Sequence, residues 1–315
     1  MLHLFYPEQQ TLGAMIKKLI SLFVVSILIF GCKSGGEKST SDDFEVPEDV
    51  ANEGVLQISE EVMQDIVQNI SSPVEMAALV KSLDAGFSGK YLAPTENVDE
   101  LTTSFQQAFH LGIYAADLGY LNMYNKTNSV IEYITAIKTL ADGVRVGQFF
   151  DFTTLKRLAQ SNQNLDSLMY ISVHSFNQMD KYLRTDNRSE LSTLMITGVW
   201  IEGLYLATQV AKSSPHPELA ERIGEQKIIM GDLMLILENY KSDKNFSKLI
   251  GELNSLKSEF NDVTIRIEKG EPEAIEEDGM LVIVQNDVSI VDITPERLNS
   301  IIEKTEEIRN KLISI

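Results

Sequence analysis

The sequence has 315 residues with 27 basic and 46 acidic side chains, a formal net charge of −19. So acidic a chain is repelled by nucleic acid and by anionic lipid head groups, which argues against both as direct partners. Its single cysteine, Cys32, leaves no disulfide framework and no thiolate metal site, so stability has to come from a hydrophobic core.

In chain order, the first clear signal is "MIKKLISLFVVSILIFGC" from Met15. Two lysines precede a run of twelve mostly apolar residues, Leu19 to Phe30, and then Gly31-Cys32. The run is too short for a membrane span, which needs about 20 apolar residues, and reads as a secretory signal peptide over residues 1–31 with Met15 as the start. Ile29-Phe30-Gly31-Cys32 resembles the lipobox of bacterial lipoproteins, which implies that Cys32 is lipidated and becomes the first residue of the mature chain. Phe30 stands where that pattern has a smaller residue. An ordinary secretory signal would not need its only cysteine at this one place. Removing Lys17, Lys18 and Glu8 leaves a mature chain of 284 residues with 25 basic and 45 acidic side chains, net −20.

Residues 32–54 are rich in Ser, Gly and acids with almost nothing to bury, the composition of a flexible tether. From 55 to 268 the periodicity is helical. Ser59 and Pro73 open two helices, and the loop "DAGFSGKYLAPTEN" follows. Asn97 is placed to cap a long helix to about Asn125; a second helix closes at Gly147. Leu165, Leu168, Met169, Ser172, Phe176, Met179 and Leu183 form the stripe of a one-sided helix. Three more run over "SELSTLMITGVWIEGLYLATQVAKSS", from Glu218 to Tyr240 and from Phe246 to Ile267. Short connections between long helices predict an all-α antiparallel bundle. In residues 269–315 an acidic link, "GEPEAIEEDG", precedes a small β-hairpin turning at Asn286-Asp287 within "LVIVQNDVSIVDI". Thr294-Pro295 then caps a final helix that has to dock on the bundle or on a second protein.

The stretch "HLGIYAADLGY" and the segment 86 positions later align Gly112 with Gly198, Ile113 with Val199, Tyr114 with Trp200 and Leu118 with Leu204. Each is followed by a helix in which Ala141-Asp142 and Gly231-Asp232 hold similar places, the pattern of an internally duplicated helical hairpin. At 100° per residue, Phe105, Ala108, Gly112, Ala116, Gly119 and Met123 share a face of small residues suited to close helix packing. The remaining ridge holds Gln106, His110, Asp117 and Tyr124, whose counterparts Ser192, Ile196, Gly203 and Val210 are different. These polar groups are therefore not what builds the hairpin. They form a structural network, line a ligand pocket or, less in keeping with the pattern, act in catalysis.

No zinc or di-iron spacing, P-loop, dinucleotide-binding glycine pattern or Gly-x-Ser-x-Gly elbow is present, so neither a metal nor a cofactor is implied. Glu202 can reach toward Asp117 across paired helices, an arrangement open to acid/base chemistry. The loop at 86–97 is a further surface on which binding could sit. The lipobox, acidic tether and helical body with "GIYAADLGY" together resemble the uncharacterised all-helical lipoproteins of Bacteroidota, which implies a place in the cell envelope, anchored in the outer membrane by lipid. The sequence leads first to a non-enzymatic helical module that binds a partner protein or small ligand. The second reading is an envelope glycan- or peptide-acting hydrolase using Asp117 and Glu202, and the third a purely structural envelope protein.

Overall fold

One helix sets the interior because it has no polar face. From Leu191 to Ala211 every residue of Ser189–Ser213 is buried, whatever direction it points. Such a helix is core all round. By length and composition it could also cross a membrane, but here it is enclosed by the rest of the protein.

A computed structural model describes residues 80–314 apart from 81, 84, 162–164, 271, 278–279 and 286–287. The expected signal peptide and tether, Cys32 and the helices expected from Ser59 and Pro73 lie outside the described residues, save the last few positions of the second. Eight α-helices and four strands follow in order: α1 (Ser104–Met123), α2 (Thr127–Gly143), α3 (Phe152–Ser161), α4 (Leu165–Thr185), α5 (Ser189–Ser213), α6 (Pro217–Glu238), α7 (Lys244–Glu259), β1 (Thr264–Glu268), β2 (Pro272–Glu277), β3 (Met280–Gln285), β4 (Val288–Asp292) and α8 (Pro295–Leu312). The fold is all-α, a helical bundle with a small antiparallel β element. α1 and α5 are the central pair. α2 and α4 also pack on α1, and α4, α6 and α8 on α5.

Local chemistry explains where the helices stop. Asn125, Arg145 and Asn187 have φ of 56°, 60° and 56°. At each, the next residue's N–H reaches back five positions, Lys126 to Leu121, Val146 to Ala141 and Arg188 to Leu183. These are Schellman closures, which satisfy the last helical carbonyls. α2 thus ends at Gly143 with Arg145 left-handed, and not at Gly147 as expected. Nor does Asn97 cap α1: Thr103 does, its side chain accepting from the Gln106 N–H while the Gln106 side chain accepts from the Thr103 N–H. That capping box is one service of a candidate ligand residue.

The C-terminal part departs further from expectation. α7 ends at Glu259, and the alternating β-branched stretch after it is β1. β1 pairs with β4 and β2 with β3, both antiparallel. The acidic link expected at 270–279 therefore supplies β2. β3 pairs with β2 and β4 with β1, so β3 and β4 are not the two arms of one hairpin turning at Asn286-Asp287 as expected. α8 docks on the bundle through Ile301, Ile302, Thr305, Ile308, Arg309 and Leu312, and Thr294 caps it by accepting from Arg297 N–H.

The duplicated glycines meet each other. A methyl built on Gly112 would lie 1.9 Å from the Met195 carbonyl oxygen and 2.7 Å from the Val199 nitrogen; one on Gly198 would lie 2.1 Å from the Phe109 oxygen and 3.1 Å from the Ile113 nitrogen. Phe109 and Met195, like Ile113 and Val199, are again 86 positions apart, so the contact is reciprocal, as a local two-fold relation between copies requires. Contacts advance along both helices from 112/198 to 117/202, so α1 and α5 run in the same direction. Gly119 shares the small-residue face but not the contact: a methyl there meets nothing within 4 Å. We expect Gly112→Ala and Gly198→Ala to lower stability by about 2 kcal/mol or more, since backbone has to part from backbone. Gly119→Ala is expected to raise it by up to about 1 kcal/mol through helix propensity. Urea unfolding of the three variants reads the contrast.

Candidate functional site

Residues 85–97 cross the helices as irregular chain interrupted by one 3-10 turn, Gly89–Tyr91, yet Ala93 and Thr95 are buried. Buried backbone outside helix or sheet needs a partner for each N–H and C=O, and this sequence provides side chains for that purpose. Tyr120 Oη accepts from the Ser88 N–H at 3.1 Å, Tyr124 donates to the Ala85 carbonyl at 2.6 Å and Tyr114 to that of Pro94 at 2.9 Å. Tyr133 donates to the Ala93 carbonyl, Asp117 accepts from the Ala93 N–H at 3.0 Å, and Thr95 donates to Glu132. The loop considered as a binding surface is thus largely a strap, held by the tyrosines of α1 and α2.

Beneath it lies a buried charge centre. Arg309 of α8 grips Glu202 of α5 with two parallel bonds, Nη2 to Oε1 at 2.5 Å and Nε to Oε2 at 2.8 Å. Its Nη2 also donates to the Tyr91 carbonyl at 3.2 Å, and its guanidinium lies 4.3 Å from the Tyr205 ring centre. Both partners are buried, Glu202 completely. Burial works against the arginine's charge, but the facing Glu202 outweighs it and holds the guanidinium protonated more firmly than usual.

Asp117 makes this a three-group centre. Burial first, and the facing Glu202 second, push its pKa well above the ordinary carboxylate value. A second carboxyl beside the Glu202–Arg309 pair favours the neutral form of Asp117. Its Oδ2 accepts the Ala93 N–H, and its Oδ1 has no hydrogen-bond partner among the described residues. The same burial drives the Tyr114 and Tyr133 hydroxyls far above their usual range and Tyr120 up to about 12, so all three act as neutral donors or acceptors.

The polar ridge of α1 is therefore divided among different tasks. Gln106 caps the helix. His110 sits between two carbonyls, Gln106 at 3.0 Å and Ile313 at 3.3 Å, tying α1 to the end of α8; burial prevails over both and lowers its pKa. Asp117 joins the strap to the charge centre, and Tyr124 anchors the strap's start. Within the four, His110 Nδ1 meets the Gln106 carbonyl, a contact inside one turn of α1. Gln106 and His110 border a shallow pocket with Phe105, Lys248 and Leu312; Asp117 and Tyr124 do not. Asp117 and Glu202 are brought together, as their spacing suggested. Both are fully buried, and neither borders the pockets described. Among the described residues no three His, Cys, Asp or Glu side chains gather as a metal site requires. Sequence reasoning missed Arg309, although a basic residue within the apolar stripe of α8 is the signature of a buried ion pair.

The open site lies elsewhere on α1. Between α1, α2 and α4 is a pocket of about 690 Å³, counting space continuous with solvent at its mouth. Its walls include Leu111, Leu118, Gly119, Ile137, Phe150 and Met179, and no lining residue is charged. Compared with protein-family models, curated proteins and solved structures, the chain matches none of them.

Removing one side of the buried pair strands the other. Arg309→Met is expected to cost about 3–5 kcal/mol, and Glu202→Gln with Arg309→Met to recover most of it; equilibrium unfolding of both variants measures this. Because the folded-state pKa of Asp117 is raised, its contribution is fully present below the unfolded value of 3.8 and is lost as pH rises toward the folded value. His110, with a lowered pKa, acts in the opposite sense below 6.5. The difference in stability between wild type and Asp117→Asn isolates the aspartate: the variant's relative stability should increase from pH 4 toward neutrality.

Proposed function

We propose that the chain is a membrane-anchored lipoprotein of the cell envelope, held in the outer membrane through lipidated Cys32, whose helical body is a non-enzymatic module that binds a small ligand between α1, α2 and α4. The observation that carries the ligand reading is Gly119. A mid-helix glycine costs about 1 kcal/mol relative to alanine. At Gly112 the cost has a steric reason; at Gly119 no neighbour requires it, and the missing side chain forms part of the pocket wall. Residues that leave space at the expense of stability mark functional positions.

The charge centre supports the non-enzymatic part. Its groups neutralise one another, are closed to solvent and hold helices and strap in register, which is structural work. The last helix was one surface on which a partner protein could dock, and α8 spends its apolar stripe on its own bundle. An apolar pocket also sets the molecule apart from a purely structural envelope protein.

Two measurements test the proposal. Expressed in a bacterial envelope, the chain should incorporate a palmitate label and sediment with membranes, and Cys32→Ser should lose both; an unlabelled, soluble wild type would refute the anchor. For the pocket, uncharged Nile red should bind saturably with a rise in fluorescence, and Gly119→Leu, verified as folded by circular dichroism, should weaken binding at least tenfold. Undiminished binding by that variant would exclude the site.

A further inference from the structure

The shape of the pocket specifies more than apolar character. On α1 its wall runs from Leu111 through Ala115 and Leu118 to Asn122, which at 1.5 Å per residue is about 16 Å of helix. On α4 it runs from Ser172 to Met179. The space is a slot that follows both helices and opens to solvent along its mouth. A compact ring system would leave part of such a slot empty.

The mouth lies where partly open Ala115 and Gly119 face Val173 and Asn177 of α4. Val173 is 37 % exposed and Tyr170, one turn away, 70 %. An apolar rim continues the apolar lining outward, and no lysine or arginine lines the slot to hold an anionic head group.

We propose that the slot holds a single unbranched hydrocarbon chain, that of a free fatty acid or an acyl group of a lipid, lying along α1 with its polar end at the α4 mouth. The inference rests on the ligand-binding reading above and names its ligand class. Recognition comes from burial of methylenes, each worth about a fourfold gain in affinity, so affinity follows chain length until the slot is full.

The test displaces Nile red from the folded mature protein with saturated fatty acids of increasing length. Affinity is expected to rise about fourfold per added methylene and then level off. Gly119→Leu should bring the plateau to shorter chains. Val173→Asp, a change at the exposed rim that leaves the core untouched, should weaken every chain and is informative should Gly119→Leu not fold. Protein incubated with phosphatidylcholine vesicles, re-isolated and extracted for mass spectrometry tells the sources apart: intact phospholipid points to an acyl group, and fatty acid alone to the free acid. Affinity independent of chain length, or tighter binding of naphthalene than of a chain with equal carbon number, overturns the hydrocarbon inference while leaving a ligand pocket in place. Failure of both dye and chains to bind removes the pocket reading as well.

Discussion

Two helices and one irregular segment are held together by a single buried arginine. Arg309 comes from the last helix, grips Glu202 in the most enclosed helix of the bundle, touches the strap backbone at Tyr91 and covers the Tyr205 ring. Removing two carboxyls and a guanidinium from water is expensive, and the cost is contained only because the charges nearly cancel. A neutral Asp117, the form that its raised pKa favours, leaves the Glu202–Arg309 pair balanced. An ion pair of this kind adds little net stability compared with apolar packing, but its geometry admits one arrangement. It therefore fixes where α8 lies on α5, and through Asp117 where the strap lies on α1.

The strap explains why α1 and α2 are rich in tyrosine. Helices satisfy their own backbone, whereas an irregular segment pressed against them does not. A tyrosine suits this work because its ring packs in the core while its hydroxyl reaches a carbonyl or N–H at the edge. Four tyrosines and one aspartic acid act in this way between residues 85 and 94, and Phe87 stacks with Tyr120 and Tyr124 at ring distances of 5.5 and 5.6 Å. The polar ridge is accordingly particular to the first copy: among the described residues it is α1, and not α5, whose ridge anchors the strap.

What was legible in the sequence followed from period and spacing. The helical stripes, the echo between Gly112 and Gly198 and the cap at Thr294 depend on nearby residues or on self-similarity, and the glycine contact joins the very positions that the echo aligned. What escaped depended on choices between equivalent local signals or on distant partners. Thr103 with Gln106 is a capping box as readable as Asn97 was plausible. Asp278-Gly279 is the stronger hairpin dipeptide, yet the acids around it suggested a link. Helical geometry placed Gly112 and Gly119 on one face and could not say that the neighbouring helix reaches only the first. Arg309 and Glu202 are more than a hundred positions apart, and no period connects them.

The two copies have used the same frame for different ends. Gly119 of α1 aligns with Tyr205 of α5, 86 positions on. At Tyr205 the face is covered, with the guanidinium of α8 lying on the ring; at Gly119 there is no side chain, no neighbour for a methyl, and an open slot. A duplicated hairpin begins with two equivalent outer faces to bury. One gained a terminal helix locked by a compensated charge, which gives rigidity. The other kept a gap beside that rigid frame, and a gap persists in a close-packed interior only where its walls cannot collapse. The buried charge centre and the apolar slot are thus related through shared helices: the first fixes α5 and, by way of Asp117, the strap on α1, and both helices contribute to the wall of the second.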